Sequence, residues 1–395
     1  MKSEPAAPLR LMLVCGEPSG DQLGAQLIAA LKAISSEPIE FMGVGGPAMA
    51  AEGLSSIFPI DVTSVMGLRE IVPRLPEILR RIRAATDFAL AARPDALVCI
   101  DSPEFTHRVA KRLRRSGSKT VIVNYVAPQV WASRPYRAKT MVSYFNLVLA
   151  LLPFEVSFFE KHGLPARFVG HPAVERKARV QGGEALRARL RIGQRQPLLL
   201  ILPGSRVSEV RPLLPVFRKT VEMVCEAVPG LTCVLPVVSH VAHVVRDLAI
   251  DWPVPLHIVE READKFAAFD AADAALAASG TVTTELALAE VPMAVAYKLG
   301  WITSLAARAL IRIPYVSLVN LVLQRQAVPE FLQRRCRAEL IAPCIIRLLH
   351  DPDFRSRQQQ DLRQAVHMLG VDEEPPSRRA AKALLDFLRE RRLTA

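Results

Sequence analysis

Short apolar runs rich in β-branched residues alternate along this chain with longer segments whose apolar positions recur at helical spacing. Runs of the first kind suit strands buried on both faces, segments of the second kind suit helices that cover them, and their alternation predicts parallel α/β sheets. In the first half, strands are expected at LRLMLVC (9–15), FMGVG (41–45), ALVCID (96–101), TVIVNYV (120–126), LVLALL (147–152) and ARFVG (166–170). A second series runs through PLLLILPGS (197–205), LTCVLPVV (231–238), PLHIVE (255–260), AALAAS (274–279) and MAVAYK (293–298). The polar, Gly- and Pro-marked stretch GHPAVERKARVQGGEALRARL separates the two series and places a domain boundary near His171. From Ala338 to Ala395 helix formers return without further strands. The expectation is therefore an α/β protein of two Rossmann-like domains, 1–171 and 172–337, with C-terminal helices 338–395 packing back on the first.

Composition agrees with a folded two-domain chain. At 395 residues it exceeds one ordinary core, half of it is hydrophobic, and only 23% is charged, which excludes a disordered protein. The net charge of +12 asks for an anionic partner, and nucleic acid, a phosphorylated small molecule and an anionic membrane surface all qualify. Six cysteines form no CxxC pair and mostly sit in apolar runs, as small hydrophobes of a reducing compartment do. The opening MKSEPAAPLR, with a glutamate and two prolines before five apolar residues, is not expected to act as a signal peptide. No run approaches the ~18 to 20 apolar residues of a spanning helix. The longest, residues 141–154, is interrupted by Asn146 and reads as a helix followed by a buried strand. A membrane, if this protein meets one, would be met from its surface.

Candidate chemistry sits where strands end. GEPSGD follows the first strand and precedes a helix with Leu23, Leu27, Ile28 and Leu31 on one face. Gly16 and Gly20 allow a ligand close to the backbone, while two acids repel a diphosphate, so Glu17 and Ser19 suit sugar hydroxyls. Asp21 serves equally well as a helix cap. GVGGPAM reads as a tight turn against a neighbouring loop. ALVCIDSPEF ends a buried strand in Asp101, where partial burial would strengthen it as a base. Capping by Asp101 or Ser102 is the alternative reading, and Glu104 is a competing acid. APQVWASRPYR adds Gln129, Trp131, Arg134 and Arg137, a mixture suited to a sugar or a phosphate, with packing as the other role open to Trp131.

In the second half, LPGSR brings Gly204, Ser205 and Arg206 to a strand end, where a freed amide, a hydroxyl and a guanidinium would hold a diphosphate. ASGTVTTE does the same with Ser279, Gly280 and Thr281, and Glu285 one turn on can accept from both ribose hydroxyls. His240 and His243 lack a third ligand, and the DxD of Asp351 and Asp353 follows no strand, so neither is assigned a metal. Residues 65–85 place Leu68, Ile71, Val72, Leu75, Ile78, Leu79 and Ile82 at helical spacing with five arginines against two glutamates. Pro73 and Pro76 predict a broken or late-starting helix there. Core packing explains such a stripe by default, but its arginines also fit a surface dipping into anionic lipid, with Val65, Met66, Leu68, Arg69, Ile71, Val72, Arg74 and Leu75 facing the membrane. WITSLAARALIRI (301–313) has the same character.

Taken in order, GEPSGD, GVGGPAM, SVMGLREI, CIDSPEF, LLPFE, FVGHP, LPGSR, ASGTVTTE and the VSLVNLV segment with Asn320 resemble the lipid-A-disaccharide synthases of Gram-negative bacteria over essentially the whole chain. The resemblance implies the type-B glycosyltransferase (GT-B) architecture and transfer of 2,3-diacylglucosamine from UDP-2,3-diacylglucosamine to 2,3-diacylglucosamine 1-phosphate. A β-1,6 disaccharide forms with inversion and UDP leaves. It further implies Asp101 as the base, Arg206 near the leaving group, Ser279, Gly280, Thr281 and Glu285 in the nucleotide segment, Asn320 as a further donor-site residue, and Glu17 and Ser19 on the acceptor side. No metal and no cofactor are implied, UDP being donor carrier and product, and the enzyme is expected in the cytoplasm, peripheral to the inner membrane, with a homodimer possible. The family often carries a second Trp where this chain has Ser133, so no stacking role passes to that position. Two rivals are another UDP-sugar enzyme, a peptidoglycan-type transferase or an epimerase, and a basic nucleic-acid-binding protein. The second would need aromatics among its basic residues, and the 65–85 stripe is aliphatic.

Overall fold

The computed structural model describes residues 8–60, 68–133, 135–298 and 314–393. Seven strands, β1 (Leu9–Cys15), β2 (Ile39–Val44), β3 (Ser55–Ser56), β4 (Ala96–Ile100), β5 (Val121–Tyr125), β6 (Leu147–Ala150) and β7 (Ala166–Phe168), form a sheet in the order β3-β2-β1-β4-β5-β6-β7. Every pairing is parallel, with Leu11 beside Phe41 on one flank and beside Ala96 on the other. Residues 11–15 of β1 and all of β4 are buried, as the unbroken apolar runs require of central strands covered on both faces.

A second sheet repeats the plan. β8 (Leu198–Leu202), β9 (Thr232–Pro236), β10 (Leu256–Val259), β11 (Ala274–Ala278), β12 (Met293–Tyr297) and β13 (Glu330–Leu332) run parallel in the order β10-β9-β8-β11-β12-β13. Both sheets thus show the 3-2-1-4-5-6 order of Rossmann-like domains. The expected strands all appear, β1 with the expected bounds, β2 starting two residues early and most of the others shorter by a residue or more at one or both ends, while β3 and β13 have too few apolar residues to announce themselves.

The chain divides after Pro172. One unit comprises Met1–Pro172 and Asp372–Ala395, the other Ala173–Val371. This corrects the expectation for the C-terminal helices. Only Pro376–Leu393 joins the first core, through Ala380, Ala381, Leu384 and Leu388, whereas Ala338–His350 lays Ile341, Ile345 and Leu348 into the second core and Pro352–Met368 stays with it. The apolar stripes of these helices look alike, and only the shape of the core they meet sorts them. The helix Leu68–Ala92 is likewise one element rather than a broken one. Both prolines lie in its first half, and burial of Ile82, Ala85 and Ala89 against the first core anchors the rest.

Asp21 is the internal tie of the first unit. Its buried carboxylate accepts from the amides of Gly46 at 2.8 Å, Ala48 at 2.9 Å and Met49 at 3.0 Å, and so caps the short helix Pro47–Ala51 of the next turn. A Cβ on Gly46 would lie 2.6 Å from that carboxylate, which is why GVGG needs its last glycine here. Asp21→Ala leaves buried amides without partners and is expected to destabilise the protein by on the order of 3 kcal/mol. Urea unfolding measures this, and a loss inside experimental error would contradict it.

Candidate active site

The turns that leave β1 and β4 meet. A Cβ on Gly16 would fall 2.9 Å from Cβ of Ser102, and one on Gly20 would fall 3.0 Å from Cβ of Cys15 and 3.3 Å from the Ile100 carbonyl. Both glycines are therefore needed for close approach of the two turns. Glu17 is half-buried and Ser19 exposed at the start of the helix Pro18–Ile34. Burial, with Asp21 and Asp101 nearby, pushes the Cys15 thiol up to about 12, so a neutral sulfhydryl sits at the foot of this loop.

Asp101 follows β4 and is half-buried. Its backbone is left-handed, with φ of 51°, and so is that of Ser102, with φ of 43°. Two such residues in succession cost about 1–3 kcal/mol each and persist only where their surroundings hold them. The Asp101 amide donates to the Tyr125 carbonyl at 3.0 Å, and Thr106 Oγ1 donates to the Asp101 carbonyl at 2.7 Å. Val126, after the neighbouring β5, is also left-handed, with φ of 73°, an outlier for a β-branched residue. Behind this turn the helix Pro103–Arg115 buries His107, whose Nδ1 lies 3.2 Å from the Tyr144 hydroxyl. Burial, aided by Lys111 and Arg137, pulls this imidazole down to about 3 and keeps it neutral. Glu104 is exposed beside Arg108 and Arg137, so the competing acid is a solvated partner of cations.

Trp131 is half-buried and anchored by packing contacts. Its Nε1 donates to Glu155 Oε1 at 3.0 Å and its ring meets Phe154 edge-on at 4.9 Å. Glu155, 2% exposed, also receives the amides of Leu151 at 3.2 Å and Leu152 at 3.1 Å. Val65, Met66, Arg134 and the 301–313 segment lie outside the described residues, as do the side chains of Leu68, Arg69, Ile71, Val72 and Arg74. Further along that helix Leu75 and Leu79 are exposed although they share a stripe with the buried Ile82.

On the second sheet β8 and β11 are neighbouring strands, and each is followed by a candidate turn. Gly204 has φ of 110°, and Ser205 and Arg206 are exposed. The amides expected to hold a phosphate are taken: Glu209 Oε2 receives Ser205 N at 3.0 Å and Arg206 N at 3.3 Å. The Arg206 guanidinium, 59% exposed, lies 3.5 Å from Glu209 Oε1 and remains the group facing solvent. After β11, Gly280 and Thr281 are exposed at the N-terminus of the helix Thr281–Leu288, where the first amides have no intrahelical partner. Ser279 Oγ donates to the Val316 carbonyl at 3.1 Å. Glu285 is 3% exposed and holds Arg176 Nη1 at 2.7 Å and Lys265 Nζ at 2.5 Å rather than standing open.

Asn320 is fully buried and fully engaged. Its Nδ2 donates to the Val328 carbonyl and to Glu330 Oε1, both at 2.8 Å, and its Oδ1 accepts from the amides of Ala327 and Val328 at 2.8 Å. Glu330 accepts further from the amides of Val316 and Ser317. Asn320 therefore holds the loop that meets Ser279 and offers no group to a ligand. Of the histidine pair, His240 Nε2 lies 2.8 Å from the Ser205 carbonyl, and Asp351 caps the helix Pro352–Met368 through the Phe354 amide at 2.9 Å. Among the described residues no cluster of three metal-ligating side chains occurs. The reading from residues missed Glu155 and Glu209, although each stands three positions after a helix N-cap, the spacing of a capping box.

Two Rossmann-like domains with candidate turns at the carboxyl edge of each sheet have the architecture of type-B glycosyltransferases. Solved structures share this fold: the UDP-GlcNAc 2-epimerase of Neisseria meningitidis (TM-score 0.60, 12% identity, 96% of this chain and 99% of that one) and MurG of Acinetobacter baumannii (TM-score 0.58, 15% identity, 97% and 100%). The family model described as Lipid-A-disaccharide synthetase matches residues 11–384, and the Lipid-A-disaccharide synthase of Rhodospirillum centenum is 46% identical over 384 residues, covering 97% of this chain and 96% of that protein. The chain belongs to the lipid-A-disaccharide synthase family. It is a glycosyltransferase of lipid A disaccharide formation, and neither the epimerase nor the nucleic-acid-binding reading is favoured.

Burial pushes the Glu155 carboxyl up to about 7, against the pull of its donors Trp131, Leu152 and Leu151. The folded value exceeds the ordinary 4.5, so the folded state binds this proton more tightly. The group's stabilisation is fully present below pH 4.5 and is lost as pH rises through 7. The stability of the native protein relative to Glu155→Gln should accordingly fall by roughly 2 to 3 kcal/mol between pH 5 and pH 8. Urea titrations at the two pH values test this, a constant difference being the contrary result.

Proposed function

We propose that this chain transfers 2,3-diacylglucosamine from UDP-2,3-diacylglucosamine to the 6-hydroxyl of 2,3-diacylglucosamine 1-phosphate, with inversion. Asp101 takes the acceptor proton. The observation that carries this reading is the left-handed backbone of Asp101 and Ser102, a strained turn that places an acidic residue at the carboxyl edge of β4. The first unit receives the acceptor along Gly16, Glu17, Ser19 and Gly20. The second receives the donor: Arg206 and the helix N-terminus at Ser279, Gly280 and Thr281 meet the departing diphosphate, and Glu285 meets the ribose. Asn320 and Trp131 act at one remove, by holding the Val316–Ser317 loop and the segment after β5. With these cations and amides supplying charge stabilisation, the reading calls for no metal and no cofactor besides the UDP carrier.

The enzyme acts peripherally at the cytoplasmic face of the inner membrane. Among the described residues no helix is long and apolar enough to cross a membrane. Supporting an interfacial position, Leu75, Leu79 and Leu90 are exposed along Leu68–Ala92 beside Arg80, on a helix that Ile82, Ala85 and Ala89 anchor to the first core.

Purified protein in detergent, given both substrates, should yield disaccharide 1-phosphate and UDP by mass detection. Asp101→Ala is expected to lower turnover by about 10²- to 10⁴-fold with UDP affinity retained, and near-normal turnover would remove Asp101 as the base. Leu79→Glu should weaken co-sedimentation with vesicles containing anionic phospholipid while turnover on detergent-dispersed substrates is kept. Unchanged co-sedimentation would exclude this helix from the membrane contact.

A further inference from the structure

Glu285 is held from two sides by elements distant in the chain. Arg176 comes from the 3₁₀ segment Pro172–Arg179, and Lys265 comes from the helix Glu262–Ala271, where its ammonium lies over the rings of Phe266 at 5.1 Å and Phe269 at 5.5 Å. One cation sits on each carboxylate oxygen, Arg176 Nη1 on Oε1 at 2.7 Å and Lys265 Nζ on Oε2 at 2.5 Å. Neutralising a single buried carboxylate calls for one cation, so the second needs another reason.

We infer that Arg176 and Lys265 are positioning residues for nucleotide recognition, which fix the Glu285 carboxylate so that each oxygen presents its remaining acceptor site to one hydroxyl of the ribose diol. A carboxylate offers about four acceptor sites, two on each oxygen. The two cations occupy one on each and leave a matched pair, and a vicinal diol is a matched pair of donors. Pinning both oxygens fixes the plane of the group, which a single ion pair would leave free to rotate about the Cγ–Cδ bond. The surplus positive charge of the triad also favours a ligand bearing a diphosphate over a neutral nucleoside. This rests on the proposal that Glu285 receives the ribose.

The test is calorimetric binding of UDP and of 2′,3′-dideoxy-UDP to the native protein and to Glu285→Gln, Arg176→Ala, Arg176→Lys and Lys265→Met. The native protein should prefer UDP, and Arg176→Ala and Lys265→Met should each reduce that preference by about tenfold, with affinity for the dideoxy compound little changed. Arg176→Lys, which also serves should the alanine variant fold poorly, should recover part of the preference. If both nucleotides weaken equally, the two cations merely support the fold and the inference falls. It falls equally if UDP binds more tightly to Arg176→Ala, since the cations would then compete with the ribose. Should Glu285→Gln keep the full native preference, the ribose assignment itself fails. Should that variant lose the preference while the Arg176 and Lys265 variants keep it, only the present inference fails.

Discussion

Each sheet reverses its strand order at one place, between β1 and β4 in the first and between β8 and β11 in the second. The helix after one strand of such a pair crosses to one face and the helix after the other crosses to the opposite face, so the two turns part and leave a crevice at the carboxyl edge. The GEPSGD loop and Asp101 flank the first reversal, and the PGSR and SGT turns flank the second. Parallel pairing therefore dictates where the chemistry can stand, and the turns supply what stands there. At the first reversal the turns even touch, Gly16 against Ser102 with no room for a side chain between them.

Buried and half-buried acids do much of the internal holding in this strongly basic chain. Asp21, Glu155, Glu209 and Glu330 each accept from two or more backbone amides, and each of those amides belongs to a turn at or near a carboxyl edge. A carboxylate suits the task because charge-assisted bonds to amides are stronger than neutral ones and its two oxygens can bind several at once. The exposed guanidinium of Arg206 faces solvent beside one of these acids, Glu209. Asp101 differs from them: its backbone carbonyl is held by Thr106, and its turn is strained.

Much of this was legible in the residues. Strand runs such as LRLMLVC and PLLLIL appear where their apolar continuity places them, because a strand buried on both faces carries few polar positions and so largely writes its own boundaries. The turn that carries Asp101 was legible for the same reason, since a carboxylate straight after such a strand must lie at its edge. Trp131 was half legible: packing and sugar contact were both open, and its bond to the distant Glu155 is a packing contact that no spacing foretold. Asn320 read as a site residue because its segment resembles the family's, yet every group on its amide is satisfied inside the loop.

The order of apolar runs, by itself, determined two parallel α/β domains and the strand ends at which ligands can be received, because backbone pairing and burial are written in local periodicity. Family membership was equally a property of the sequence, carried by motifs spread along the whole chain. Tertiary structure alone decided which core the helices Ala338–His350 and Pro352–Met368 join, that Leu68–Ala92 runs unbroken through two prolines, and that Glu285 meets Arg176 and Lys265. Those outcomes depend on shape and charge meeting across residues far apart in the chain, and no spacing along a sequence encodes such a meeting.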